Sequence, residues 1–247
     1  KFITTDTAFQ QLFNTNSSDQ LKSIIRTPDN NILAIGQTQS NGAINYYDLD
    51  LLLIKLDFNL DTLWTKSISH PGDTAFWPNQ IISTSDSGFL ICGWQNSFVS
   101  PNVRAFLLKV DSVGNLLWRK SYSNIFYTST FWSVVETPDH GFICSGSIFD
   151  ISFDGHASLF KVDSTGNFVQ TLYSTLQSDT YGSRIIPTID GNYLWTSMRS
   201  DGATNFMNDF IKLDNTGTIL WQKQFCLYRE GGPMAILQNY DGTYMMA

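Results

Sequence analysis

LLLIKLDFNLDTLW, residues 51–64, decides the fold because it is one copy of a repeat. It returns as AFLLKVDSVGNLLW at 105–118, SLFKVDSTGNFVQ at 158–170 and DFIKLDNTGTILW at 209–221. Lys55, Lys109, Lys161 and Lys212 recur at steps of 54, 52 and 51 residues. Seven residues after the Asp of each copy stand Trp64, Trp118, Gln170 and Trp221. Self-similarity at a period of 20–50 residues or slightly more is the mark of a repeat architecture.

A second block alternates with the first. It reads SIIRTPDNNILAIG (23–36), QIISTSDSGFLICG (80–93), SVVETPDHGFICSG (133–146), RIIPTIDGNYLWTS (184–197) and AILQNYDGTYMMA (235–247). Gly36, Gly93 and Gly146 close the first three copies and Ser197 the fourth. Both blocks are short apolar runs rich in β-branched and aromatic residues, as strands are. Each is broken at its middle by a turn sequence such as PDNN, SDSG, PDHG or DSTGN, in which Asp caps its own backbone and Gly or Asn accepts a positive φ. No stretch has a 3.6-residue period of helical length.

Four antiparallel strands per 51–57 residues predict an all-β fold, a β-propeller of four-stranded blades. A lone sheet with two apolar faces cannot bury both, and stacking blades around an axis buries them against neighbours. We name the strands of the second block a and b, and those of the KLD block c and d. The expected units are approximately 20–68, 79–122, 131–175 and 182–225, with 234–247 plus 1–13 forming a closing blade of a single domain over 1–247. Asp6–Phe9 aligns with Asp61–Trp64, so the chain opens on a strand d. About five blades are expected, with one strand c missing. That predicts a fragment, or a longer parent of six to eight blades. Trp64, Trp118 and Trp221 are expected to wedge between adjacent blades. Gln170 predicts looser packing in the third.

Composition excludes several classes. Apolar residues are 42%, charged 15% and aromatic 14%, unlike a disordered chain or a coiled coil. The formal charge of −7, with no Lys/Arg run, argues against nucleic acid as a partner. No apolar run approaches the roughly 20 residues that span a bilayer as a helix, and no signal peptide is evident. Cys92, Cys144 and Cys226 are too few and wrongly spaced for a disulfide framework or a tetrahedral zinc site, and read as buried inert thiols. His70, His140 and His156 are scattered and no DxDxDG loop occurs, so no metal site is expected. No GxSxG elbow occurs either.

The LDxxGxxLW pattern resembles the PQQ-like, quinoprotein-type propeller repeat. The whole unit is more similar still to repeats of exported Bacteroidota β-propeller proteins, which often carry a type IX secretion sorting tail. The resemblance spans Asp6 to Ala247 and implies an extracellular or outer-membrane-associated location. No residues match a quinone-binding set, so no cofactor is expected.

The a–b and c–d turns are short and uniform, whereas the b–c and d–a connections are long and dissimilar. Long divergent loops on a rigid scaffold are where binding groups sit. The residues expected to bind on that face are Tyr46, Tyr47, Trp77, Arg104, Tyr127, Trp132, Tyr181, Arg199, Tyr228 and Arg229, since Tyr, Trp and Arg dominate interface hot spots. His70, Asp73, Phe76, Phe126, Phe131, Asp201 and Asn205 belong to the same loops. The expected function is a non-enzymatic binding or scaffold module on the bacterial surface. Its expected partner is a protein, such as a component of an outer-membrane or secreted complex; a glycan is the alternative. A glycan-cleaving enzyme would use carboxylates such as Asp48, Asp154, Asp179 and Glu230. The recurring Lys is expected to be a strand-end residue with its head in water.

Overall fold

A computed structural model describes residues 19–39, 49–69, 74–97, 103–122, 128–149, 154–174, 180–200, 205–228 and 236–246. They form four four-stranded antiparallel sheets and one two-stranded sheet. Blade 1 comprises β1 (Gln20–Arg26), β2 (Ile32–Gln39), β3 (Leu49–Leu56) and β4 (Thr62–Ile68). Blade 2 comprises β5 (Thr74–Ser83), β6 (Phe89–Ser97), β7 (Arg104–Val110) and β8 (Leu116–Tyr122). Blade 3 comprises β9 (Thr128–Glu136), β10 (Phe142–Phe149), β11 (Gly155–Val162) and β12 (Phe168–Ser174). Blade 4 comprises β13 (Thr180–Pro187), β14 (Tyr193–Ser200), β15 (Asn205–Leu213) and β16 (Ile219–Tyr228). The short pair β17 (Ile236–Gln238) and β18 (Tyr244–Met246) begins a fifth. The protein is a β-propeller. The closing strand expected from residues 1–13 lies outside the described residues.

Strands within each blade follow one another in chain order, and the first strands of consecutive blades lie side by side. The a strands β1, β5, β9 and β13 therefore form the inner ring, and β4, β8, β12 and β16 the rim. Apolar side chains alternate between the two faces of each sheet, so each seam between blades holds a core. Leu33, Ile35, Leu51 and Leu53 meet Phe76, Ile91 and Phe106 in the first seam. Leu90, Cys92 and Leu107 meet Phe131, Cys144 and Phe160 in the second. Ile143 and Leu159 meet Ile185, Trp195 and Ile211 in the third. Cys92 and Cys144 are free and buried, and burial pushes the Cys92 thiol up to about 12. Both fit the inert reading.

Inner strands start earlier than the sequence pattern suggests. β5, β9 and β13 begin at residues 74, 128 and 180, rather than at 79, 131 and 182. The pattern hides this because each inner strand carries a β-bulge opposite the closing Gly or Ser of strand b, and a bulge breaks the period of two. The register skips Lys22 opposite Gly36, Asn79 opposite Gly93, and Trp132 opposite Gly146, and is likewise shifted between Gly182 and Ile185 opposite Ser197. The bulge also explains the glycine. A Cβ on Gly36 would lie 2.2 Å from the Gln20 carbonyl oxygen, one on Gly93 2.2 Å from that of Trp77, and one on Gly146 2.0 Å from that of Thr130.

Polar side chains near the bulges stitch the inner ring. Gln80 Oε1 accepts from Val134 N at 2.7 Å, and Asn79 Nδ2 donates to Phe131 O at 2.7 Å. Ser133 Oγ donates to Ile185 O at 3.1 Å and accepts from Ile185 N at 3.2 Å. These bonds satisfy backbone groups that an inner edge would leave unpaired. At the rim, the Trp64 ring lies over Gly114 and the Trp118 ring over Gly166, each in the c–d turn of the following blade. That bears out the inter-blade wedge for these two. In blade 3 the expected loosening at Gln170 is offset two residues on, where Leu172 covers Gly217 of blade 4.

Candidate functional site

The two ends of the propeller differ in how fully their polar groups are paired. At the tight-turn end the recurring Lys is not in water, contrary to the sequence expectation. Lys55, Lys109 and Lys212 are buried, and each reaches back to the turn Asp of its own a–b hairpin. Lys55–Asp29 is 2.8 Å, Lys109–Asp86 2.8 Å, Lys161–Asp139 2.7 Å and Lys212–Asp190 2.9 Å. The Thr two residues before each Asp donates to the same carboxylate. Sequence reasoning missed this pairing because Lys and Asp are 22 to 26 residues apart. Their recurrence once per repeat, Lys at steps of 54, 52 and 51 and Asp at 57, 53 and 51, was the available signal. Lys55 and Lys161 hold Asp29 and Asp139 below the usual carboxylate range, the latter at about 2. Burial pushes Asp86 upward, but Lys109, Thr84 and the Gly88 amide outweigh it and leave it at about 2. Asp190 is lowered by Thr188 and then Lys212. Four copies of one network, each internally neutralised, are scaffold.

One irregular cluster sits at this end, between clefts of about 280 and 350 Å³. Ser85 of blade 2 donates its amide to Glu136 Oε2 at 2.8 Å, its hydroxyl lies 2.6 Å from Oε1, and His140 Nδ1 is 2.9 Å from that hydroxyl. The Ser85 hydroxyl is committed to the carboxylate rather than aligned on a base that a carboxylate orients, so this is a tie between turns and not a nucleophile.

At the long-loop end the arrangement reverses. Among the described residues, eight buried side-chain polar atoms lack a hydrogen-bond partner: Gln37 Oε1, Trp77 Nε1, Gln95 Oε1, Asn96 Oδ1, Thr130 Oγ1, Ser147 Oγ and both amide atoms of Asn208. All lie in the long-loop half of their strands. Six share one rung around the ring. Gln20 pairs with Gln37, Trp77 with Trp94, Thr130 with Ser147, and Tyr181 with Met198, which in turn pairs with Asn208. Gln95 and Asn96 are one and two residues further toward the loops. Trp77 and Trp94 stack with centroids 4.8 Å apart and planes 6° apart. Just below, the bulge residue Trp132 is 39% exposed on an innermost strand.

The sequence-predicted residues fall as follows. Trp77, Trp132 and Tyr181 lie in the inner strands β5, β9 and β13, which run on through their bulges, and Arg104 and Arg199 lie in β7 and β14, so none of the five is in a loop. Arg104, Tyr181 and Arg199 are half-buried. The Tyr181 ring lies 6.1 Å from Phe149, and Arg199 Nη2 is 3.1 Å from Met207 Sδ. Phe76 and Phe131, also expected in loops, are core residues with relative exposures of 0% and 2%. Tyr46, Tyr47, Tyr127 and Arg229 lie outside the described residues, as does the side chain of Tyr228. Of the candidate carboxylates, Asp48, Asp179 and Glu230 lie outside them too; Asp154 precedes β11. Sequence reasoning missed Gln37, Thr130, Ser147 and Asn208, which read as ordinary polar strand positions; their shared offset from the Gly or Ser that closes strand b was the signal. Among the described residues no group of His, Cys, Asp and Glu could hold a metal ion, and no helix is long and apolar enough to cross a membrane.

No family model matches the chain, and no curated protein matches it. Its fold is similar to that of a protein of unknown function from Dyadobacter fermentans, with a TM-score of 0.68, 11% identity, and coverage of 94% of this chain and 75% of that one. It is also similar to an endo-arabinase from Bacteroides thetaiotaomicron, with a TM-score of 0.55, 12% identity, and coverage of 93% and 88%. Both come from Bacteroidetes, and at these identities the likeness is one of fold.

Proposed function

We propose that this propeller is a non-enzymatic binding module that works on the outside of a bacterial cell. It engages a macromolecule, a protein or a glycan, through its long-loop end. The observation that carries this reading is the asymmetry of polar satisfaction. The tight-turn end pairs its buried lysines in four copies of one network, whereas the unpaired buried atoms gather at the other end. Native proteins pair nearly all such groups, so a cluster of exceptions singles out this end, whose atoms gain partners from bound water or from rearrangement when a partner docks. A cleaving enzyme has less support. Among the described residues the inner strands carry one carboxylate, Glu136, at the tight-turn end and bound by Ser85.

The test is cross-linked capture from the native source, with mass spectrometry of what is retained. Trp132→Ala or Arg104→Ala at the long-loop end is expected to lose the partner, and Asn59→Arg in a c–d turn to keep it. Loss on Asn59→Arg alone would overturn the assignment of the face.

A further inference from the structure

We infer that the free face of β16 and the open edge of β18 form a docking site for one β-hairpin of the type K-x-D-x-x-G-N. The occupant is the c–d hairpin of a further repeat unit, continuing from β18. Three groups on separate elements lack the partner that their counterparts have in other blades.

In blades 1 and 2, strand d meets the c–d turn of the following blade at two points. The Trp64 ring lies over Gly114, and Lys66 Nζ donates to Asn115 Oδ1 at 2.7 Å. The Trp118 ring lies over Gly166, and Lys120 Nζ donates to Asn167 Oδ1 at 3.0 Å. Trp221 and Lys223 repeat the pair. Lys223 Nζ stands 5.5 Å from the centre of the Trp221 ring, as Lys66 Nζ does from that of Trp64. Among the described residues no turn glycine lies under Trp221 and no acceptor meets Lys223. Two residues on, Ile68 and Tyr122 pack in their seams, whereas Phe225 is 46% exposed. The third group is Asp241. In the four complete blades the a–b turn Asp holds the strand c Lys of its own blade. Among the described residues Asp241 accepts only from Thr243, its amide and its hydroxyl. The sheet there has two strands, so β18 presents a bare edge.

The spacing makes the three vacancies one site. In Lys109–Asn115 and Lys161–Asn167 the Lys, Gly and Asn stand first, sixth and seventh. The Lys serves its own blade, and the Gly and Asn serve the blade before. One hairpin therefore gives Asp241 its ammonium, Trp221 its glycine and Lys223 its amide oxygen, while strand c pairs with β18. Two other occupants fit less well. In a second copy of the chain, Trp64, Trp118 and Leu172 already cover Gly114, Gly166 and Gly217, and the first c–d turn has Leu60 in the glycine place, at a φ of 69°. Residues 1–13 put Thr5 there, by the alignment of Asp6–Phe9 with Asp61–Trp64. A side chain at that place collides with the ring, as a Cβ on Gly114 would lie 2.7 Å from Trp64 Cη2.

The experiment appends residues 93–122, a copy of the end of strand b and the c–d hairpin of blade 2, after Ala247, which aligns with Cys92. Amide hydrogen exchange at Tyr244–Met246 should slow by roughly ten-fold or more as β18 gains a neighbour. The thermal midpoint should rise by about 5 °C or more, the scale of a few added contacts in a domain of this size. Trp221→Ala, or Gly114→Val in the appended copy alone, should remove most of both effects. If the extended chain fails to fold, the synthetic hairpin 104–122 added in trans gives the same exchange readout. No slowing with either form of the hairpin would overturn the inference, and so would slowing that survives both substitutions. Amides of β18 that are already protected in the unextended chain, and lose that protection on Phe9→Ser, would make residues 1–13 the occupant and overturn it too.

Discussion

The Trp118 ring lies against Gly166, so that a Cβ on that glycine would meet Trp118 Cζ3 at 2.7 Å and Cη2 at 2.8 Å. Gly166 has a φ of 78°, which a c–d turn requires and which a side chain rarely adopts. One residue of blade 2 is thus fitted to one turn of blade 3, and Trp64 stands to Gly114 in the same way. Trp221 has the same place in blade 4 but is 37% exposed. Truncating Trp118 to Ala is expected to destabilise the protein by about 3–5 kcal/mol, as for other packed aromatics. Trp221→Ala should cost about 1 kcal/mol or less, as surface changes do. Equal losses in urea denaturation would mean that the turn glycine is not what gives Trp118 its weight.

The Lys–Asp pairs predict an acid limb in stability. Asp86 titrates at about 2 when folded, against an ordinary 3.8. A folded pKa below the unfolded one stabilises the fold above the unfolded value, and that contribution is lost as pH falls through the folded one. Stability should therefore fall between about pH 4 and pH 2. Asp86→Asn should flatten part of that slope. Lys109→Met combined with Asp86→Asn should be close to neutral at pH 7, because a buried ion pair is often replaced without loss by neutral groups of similar size. Asp86→Ala, which leaves the ammonium buried alone, should cost about 1–3 kcal/mol, the lower part of the range reflecting the exposure of Asp86. Denaturation midpoints measured from pH 2 to 7 check all three.

Trp195 binds across a seam. Its Nε1 donates to Ser145 Oγ at 2.7 Å, and both residues are fully buried. Trp195→Phe keeps most of the ring and strands the Ser145 hydroxyl. The expected cost is about 2–4 kcal/mol, from lost volume and an unpaired buried group. Adding Ser145→Ala should cost less than Ser145→Ala costs alone. A double-mutant cycle measures the coupling, expected at about 1 kcal/mol.

The blades were legible in the sequence because the repeat carries its signal twice, in apolar alternation and in turn chemistry. Asp57, Asp111, Asp163 and Asp214 do accept amide bonds from their own c–d turns, as DFNLD, DSVGN, DSTGN and DNTGT imply. The inner-strand starts were not legible. An inserted residue such as Asn79 or Trp132 shifts the alternation by one, and TAFWPN then reads as a loop. The Lys–Asp network was hidden for a different reason: each Lys lies on strand c and its partner in the a–b turn, a contact that only the sheet brings together. The candidate site was legible at its aromatics, Trp77 and Trp132. Its polar rung was not, because a buried Gln, Thr or Ser in a strand carries no local mark of lacking a partner.

Asn208 tests whether the unpaired rung is kept at a cost to stability. Its residue exposure is 0% and neither its Nδ2 nor its Oδ1 has a partner, on the strand c rung beside Met198. Burying an amide without hydrogen bonds costs about 1–3 kcal/mol in proteins. Asn208→Leu, similar in volume and apolar, is therefore expected to stabilise the protein by about 1–2 kcal/mol in urea denaturation. Groups held at such a cost are a mark of binding sites, where activity is traded against stability. If Asn208→Leu destabilises the fold instead, the rung is a chain of structural waters whose bonds the leucine breaks. If the variant is stabilised and capture of the partner falls with it, the strain at this end is coupled to partner binding.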